Sequence, residues 1–146
     1  HFTILSVIED SRAFAKLFDS KNSDDLRQKV TEEVKKIAEE FSKKSGFTVN
    51  TMIAEGVVYE EIARVSTLID ADLVIMGTNG KPQNLRKRFI GSNAYRTATL
   101  VKPPVVTIKG VRNIDKIETI IFPLLVDRHS KKMSLSSIFY AAIFTR

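Results

Sequence analysis

Residues 2–8 (Phe2, Thr3, Ile4, Leu5, Ser6, Val7, Ile8) alternate and then run apolar up to Glu9 and Asp10, the pattern of a buried strand. Residues 11–22 form a polar connector with an apolar knot at Phe14, Leu17 and Phe18. Ser23 is placed to cap a helix, with Asp24 and Asp25 in the first turn, where the helix dipole favours negative charge. Leu26, Val30, Val34, Ile37 and Phe41 then recur at helical spacing and predict an amphipathic helix. Gly46, after Lys43 and Lys44, marks its end. Phe47, Val49 and Thr51 alternate as a second strand that runs to about Ile53. Gly56 separates it from a helix with Val58, Ile62, Val65 and Ile69 on one face.

Residues 73–76 read as a short buried strand, 93–100 as a helix stopped by Pro103 and Pro104, and 105–108 as another strand. A polar, basic linker covers 109–116. A further strand, 117–122, ends at Pro123, and residues 130–146 read as a helix apolar over much of its surface. Strands that are apolar on both faces and alternate with helices predict an α/β protein with a parallel sheet covered on both sides.

Composition narrows the function classes. The 146 residues, 43% hydrophobic and 27% charged, are those of an ordinary soluble domain with a real core. No apolar run approaches the roughly 20 residues of a membrane span. Without cysteine there is no disulfide or thiolate chemistry, and a cytoplasmic location is expected. His1 and His129 have no metal-site spacing. The net charge of +6 attracts anions, but nucleic-acid binding is not the expected use of it.

The most informative stretch is 72–92. The strand 73–76 runs into Gly77, Thr78, Asn79 and Gly80; a basic segment with Lys81, Arg86, Lys87 and Arg88 follows; Gly91 and Ser92 open the next helix. Glycines allow close backbone approach, and a helix start presents N–H groups suited to phosphate. The same residues also suffice for a plain strand-to-helix loop, and helix capping and phosphate binding are compatible. The basic side chains read as a solvated face that could also screen a polyphosphate.

Residues 73–92 resemble the universal stress protein family, whose DLxVMG strand leads into a G-x2-G-x9-G-[ST] motif that holds ATP or AMP. Gly77, Gly80, Gly91 and Ser92 occupy the motif positions, with ten residues instead of nine between Gly80 and Gly91. Pro103 to Ile108 resembles the family's closing strand, and Thr3 to Glu9 its second strand, whose valine is Val7 here. The resemblance implies a three-layer sandwich with a five-stranded parallel sheet, of the adenine nucleotide alpha hydrolase-like kind, forming a single domain over 1–146. It implies phosphate and ribose contacts from Gly77, Gly80, Gly91, Ser92 and Asn93, and an adenine pocket framed by Val7, Met76, Pro123 and Leu124. Mg²⁺ would enter with the phosphates, since no carboxylate cage is visible. No redox cofactor is implied.

Two departures matter. The family's acceptor aspartate falls, by direct counting from Pro123, on Leu125, with Asp127 two residues on. A leucine there leaves the nucleotide's polar edge without a partner, at a cost of about 1–3 kcal/mol. Also, the family's first strand-helix unit does not precede Thr3, whereas residues 117–146 resemble one. As the last elements of this chain they are expected to fill the central position of a sheet whose other four strands lie in 1–108. The linker 109–116 reaches roughly 26 Å against a path of about 20 Å, provided it need not detour around a helix. A domain-swapped homodimer satisfies the same packing.

No catalytic constellation is visible: no serine sits in a nucleophile elbow, and His129 lies in a polar stretch. The expected function is therefore regulatory nucleotide binding in a stress response, with at most very slow ATP hydrolysis. A nucleotide-free dimerisation module with a degenerate site is the other reading.

Overall fold

A computed structural model describes residues 1–9, 23–78 and 91–110. The chain divides into two compact units, His1–Lys109 and Gly110–Arg146, and all elements below belong to the first. In order they are β1 (Phe2–Ile8), α1 (Ser23–Ser45), β2 (Val49–Glu55), α2 (Val58–Leu68), β3 (Val74–Gly77), α3 (Ser92–Leu100) and β4 (Val105–Ile108). The predicted alternation of strand and helix is present over these residues. The knot at Phe14, Leu17 and Phe18, the capping role of the Ser23 side chain, and the strand and helix expected in 117–146 fall outside the described residues.

Every strand pairing in this part of the chain is parallel. β1 pairs with β2 in the register Phe2 to Val49 through Ile8 to Glu55. β3 pairs with β4, Val74 to Val105 through Gly77 to Ile108. No ladder joins the two pairs among the described residues.

The period-2 alternation of β1 gives it two apolar faces. Ile4 and Ile8 pack with Ile53 against Leu26, Val30 and Val34 of α1, and this is the core of the first pair. Ala38 continues the buried row of α1, whereas Ile37 and Phe41 stand off it, exposed. Phe41 instead meets Phe2 edge-on, with ring centroids 5.5 Å apart.

Phe47 also departs from expectation. Its carbonyl accepts from Ser42 Oγ (2.8 Å), its N–H donates to Ser45 Oγ (3.3 Å), and its ring lies 5.1 Å from Phe2. Held by the end of α1, it sits in a loop, and the strand starts at Val49. Gly46 ends the helix as predicted, with φ +74° and its N–H on the Ser42 carbonyl at 2.9 Å. α2 ends differently. Asp70 takes φ +48°, its N–H bonding Thr67 O and that of Ala71 bonding Ser66 O. This is a Schellman motif with an aspartate where glycine is usual.

Candidate functional site

In a parallel α/β sheet, ligands gather at the carboxyl ends of the strands. Here that end is fixed by one residue, Thr78. Its N–H donates to Ile108 O at 3.1 Å, tying the end of β3 to β4, and its carbonyl accepts from the Gly91 N–H at 3.0 Å. Thr78 is itself buried. The start of α3 is thus hydrogen-bonded directly to the end of β3, and residues 79–90 leave and return through this neck.

The neck explains Gly91. Its φ of −58° and ψ of 149° suit any L-residue, so backbone freedom is not the requirement. A Cβ at this position would run into the Thr78 carbonyl oxygen. Glycine is therefore needed for close approach. Its N–H is taken by Thr78, so its part in holding a phosphate is to place the helix start. The donors at that start are the N–H groups of Ser92, Asn93 and Ala94, which precede the first intrahelical bond, from Tyr95 N–H to Gly91 O at 3.0 Å. No side chain caps the helix and no acidic residue stands in its first turn, an arrangement open to an anion. Ser92 is exposed and Asn93 half-buried. Gly77 is exposed, and a Cβ there would meet nothing within 4 Å.

Val7 and Met76 come together. Both line a cleft of about 400 Å³ between β1, α2 and β3, whose apolar wall includes Val58, Ile62 and Val65. Each sits one residue before the end of its strand. Gly80, Pro123 and Leu124, with Lys81, Arg86, Lys87, Arg88, Leu125 and Asp127, lie outside the described residues.

α2 and α3 are clamped beside the site. Arg96 Nη1 donates to the Tyr59 hydroxyl at 3.1 Å, and the guanidinium lies 5.0 Å from the Tyr59 ring centroid. Thr97 of α3 is fully buried, and its hydroxyl has no hydrogen-bond partner among the described residues. On the outer side of α2, Arg64 makes two bonds to Glu61 Oε2 (2.9 and 2.7 Å), which raise its pKa above the usual arginine value. Among the described residues no cluster of His, Asp or Glu could hold a metal ion, and no helix is long and apolar enough to cross a membrane.

Sequence reading missed Thr78 and the Tyr59–Arg96 pair. Thr78 lies between Gly77 and Asn79 in sequence, and nothing local marks it out. Only its partner Gly91, thirteen positions on, reveals its role.

Parallel strand pairs with helical crossovers, and an uncapped helix start pinned to a strand end, define an α/β domain. The comparisons then supply the family. Residues 1–109 match the universal stress protein family, and the chain belongs to it. Universal stress protein MJ0577 of Methanocaldococcus jannaschii is 33% identical over 88 residues, which cover 58% of this chain and 54% of that protein. Universal stress protein MJ0531 of the same organism is 37% identical over 82 residues, covering 56% of this chain and 45% of that protein. The chain thus spans about half the length of these curated relatives. Among solved structures, hypothetical protein MJ0577 is similar with a TM-score of 0.57 at 29% identity, over 76% of each chain. Hypothetical protein PH0823 gives 0.56 at 28%, again over 76% of each.

Proposed function

We propose that this domain binds an adenine nucleotide, ATP or AMP, in a regulatory, stress-response role. The observation that carries the reading is the Thr78–Gly91 neck. It sets an open, uncapped helix start beside the strand end that bears Met76, across the cleft from Val7. Phosphate and ribose would be held by the first-turn N–H groups and the Ser92 hydroxyl, together with Gly77 and Gly80. Adenine would lie against Val7 and Met76, with Pro123 and Leu124 closing the pocket. The donors at the helix start suit an anion, and Mg²⁺ would arrive with the phosphates. The nucleotide serves as a signal and not as fuel, in a cytoplasmic protein whose complete domain has five parallel strands between two helical layers.

The test is nucleotide extraction and a melting shift. Acid-quenched protein is expected to release adenine nucleotide. ATP at 100 times its dissociation constant adds about 2.7 kcal/mol of stability, a shift of several degrees at this size. A folded chain that releases none and shows no shift with millimolar ATP or AMP overturns the proposal.

A further inference from the structure

We infer that Arg96 reads the outer phosphates of the nucleotide and makes the domain prefer ATP to AMP. The inference rests on the adenine-nucleotide reading and narrows its ligand. Arg96 lies four residues after Ser92 in α3. That places it one turn on, on nearly the same face of the helix and about 6 Å along its axis. Helical side chains lean toward the amino end, so an arm from Arg96 runs back toward the turn of Ser92. The observed contact agrees: the guanidinium lies against Tyr59, the second residue of α2. Both helices follow strands of parallel pairs, so their first turns stand at the carboxyl ends of those strands, where the site is.

The hold of Tyr59 on Arg96 is one that a phosphate can take over. Arg96 Nη1 donates to the Tyr59 hydroxyl at 3.1 Å, and the guanidinium stands 5.0 Å from the ring centroid. Both contacts are to a neutral group, and Arg96 is exposed. A cation–π contact at an exposed site is weak, and a hydrogen bond to a neutral hydroxyl is about half as strong as one to an anionic oxygen. The hydroxyl takes one of the five donors that a guanidinium carries. A phosphate accepts two of them at once, in the planar fork that suits arginine.

Charge decides which phosphates gain from this. A helix start offers an anion roughly half a positive charge. The N–H groups of Ser92, Asn93 and Ala94, with the Ser92 hydroxyl, serve one phosphate group. ATP brings two groups more than AMP, with negative charge that the helix start does not balance. Arg96 adds a full positive charge that no working pH removes, within reach of a phosphate chain continuing past Ser92 on the α2 side. It therefore adds binding free energy for ATP and little for AMP, and a preference is that difference.

Titration calorimetry with ATP and with AMP tests this on the parent chain and on Arg96→Gln, Arg96→Lys and Tyr59→Phe, each first shown to keep the parent's circular dichroism spectrum. Arg96→Gln is expected to weaken ATP about 10- to 100-fold, the scale of a hydrogen bond to a charged group, and AMP by less than about twofold. Arg96→Lys keeps the charge without the fork and should recover part of the loss. Tyr59→Phe removes the competing hydroxyl but keeps the ring, so ATP should bind about two- to fivefold more tightly. Equal losses for ATP and AMP in Arg96→Gln, or no loss for either, overturn this inference and leave the nucleotide reading in place. Weaker ATP binding by Tyr59→Phe also overturns it, by making the pair a structural clamp. A folded parent that binds neither nucleotide refutes the nucleotide reading and this inference with it.

Discussion

Replacing Gly91 by alanine tests the neck on which the site is built. The new methyl would collide with the Thr78 carbonyl oxygen, which is backbone at the buried end of β3 and cannot swing aside. Relief requires α3 to move away. Overpacking of this kind costs about 1–3 kcal/mol. The lost Gly91 N–H to Thr78 O bond adds about 0.5–1.5 kcal/mol. The expected destabilisation is therefore about 2–4 kcal/mol. Because φ at Gly91 is −58°, none of it comes from forcing alanine into a left-handed conformation. Urea unfolding followed by circular dichroism should show the midpoint fall by about 1–2 M, at a slope of about 2 kcal/mol/M. Gly77→Ala is the matched control. It lies in the same stretch, has no positive φ and has open space at its Cβ, so its midpoint should stay within about 0.5 kcal/mol of the parent. A Gly91→Ala protein as stable as the parent, or a Gly77→Ala protein equally damaged, refutes the steric reasoning.

Two other substitutions should raise stability. Thr97→Val replaces a fully buried hydroxyl that has no partner among the described residues with a methyl of similar shape, and about 1 kcal/mol of stabilisation is expected in the same urea assay. A loss of similar size would mean that the hydroxyl is hydrogen-bonded after all. Asp70→Gly relieves a left-handed residue at the end of α2, with a gain of about 0.5 kcal/mol and a melting temperature higher by about 2 °C; a lower melting temperature would show that the carboxylate contributes to the cap.

Local patterns carried most of the fold. The row Leu26, Val30 and Val34 and the stop at Gly46 are properties of neighbouring residues, and they hold in three dimensions. The alternation in 2–8 likewise foretold a strand with two apolar faces. Where the reading slipped, specific side-chain and backbone contacts outweighed propensity. Phe47 has strand propensity, but Ser42, Ser45 and Phe2 hold it in a loop. Asp70 is one of the few non-glycine types that tolerate a left-handed cap, but aspartate is too common elsewhere to announce one. At the site, Val7 and Met76 could be named from resemblance, and the cleft brings them together. The use of the Gly91 N–H could not be foreseen, because it depends on a carbonyl thirteen residues away.

The neck also bears on how this chain tolerates change. Thr78 and Gly91 close residues 79–90 into a loop of twelve whose ends are fixed independently of what lies between them. Closure entropy grows only with the logarithm of length, so going from eleven residues to twelve costs less than ~0.1 kcal/mol. The extra residue between Gly80 and Gly91 is therefore nearly free for the fold. Selection can lengthen, shorten or recharge this segment to suit a ligand while the framework that presents it stays in place.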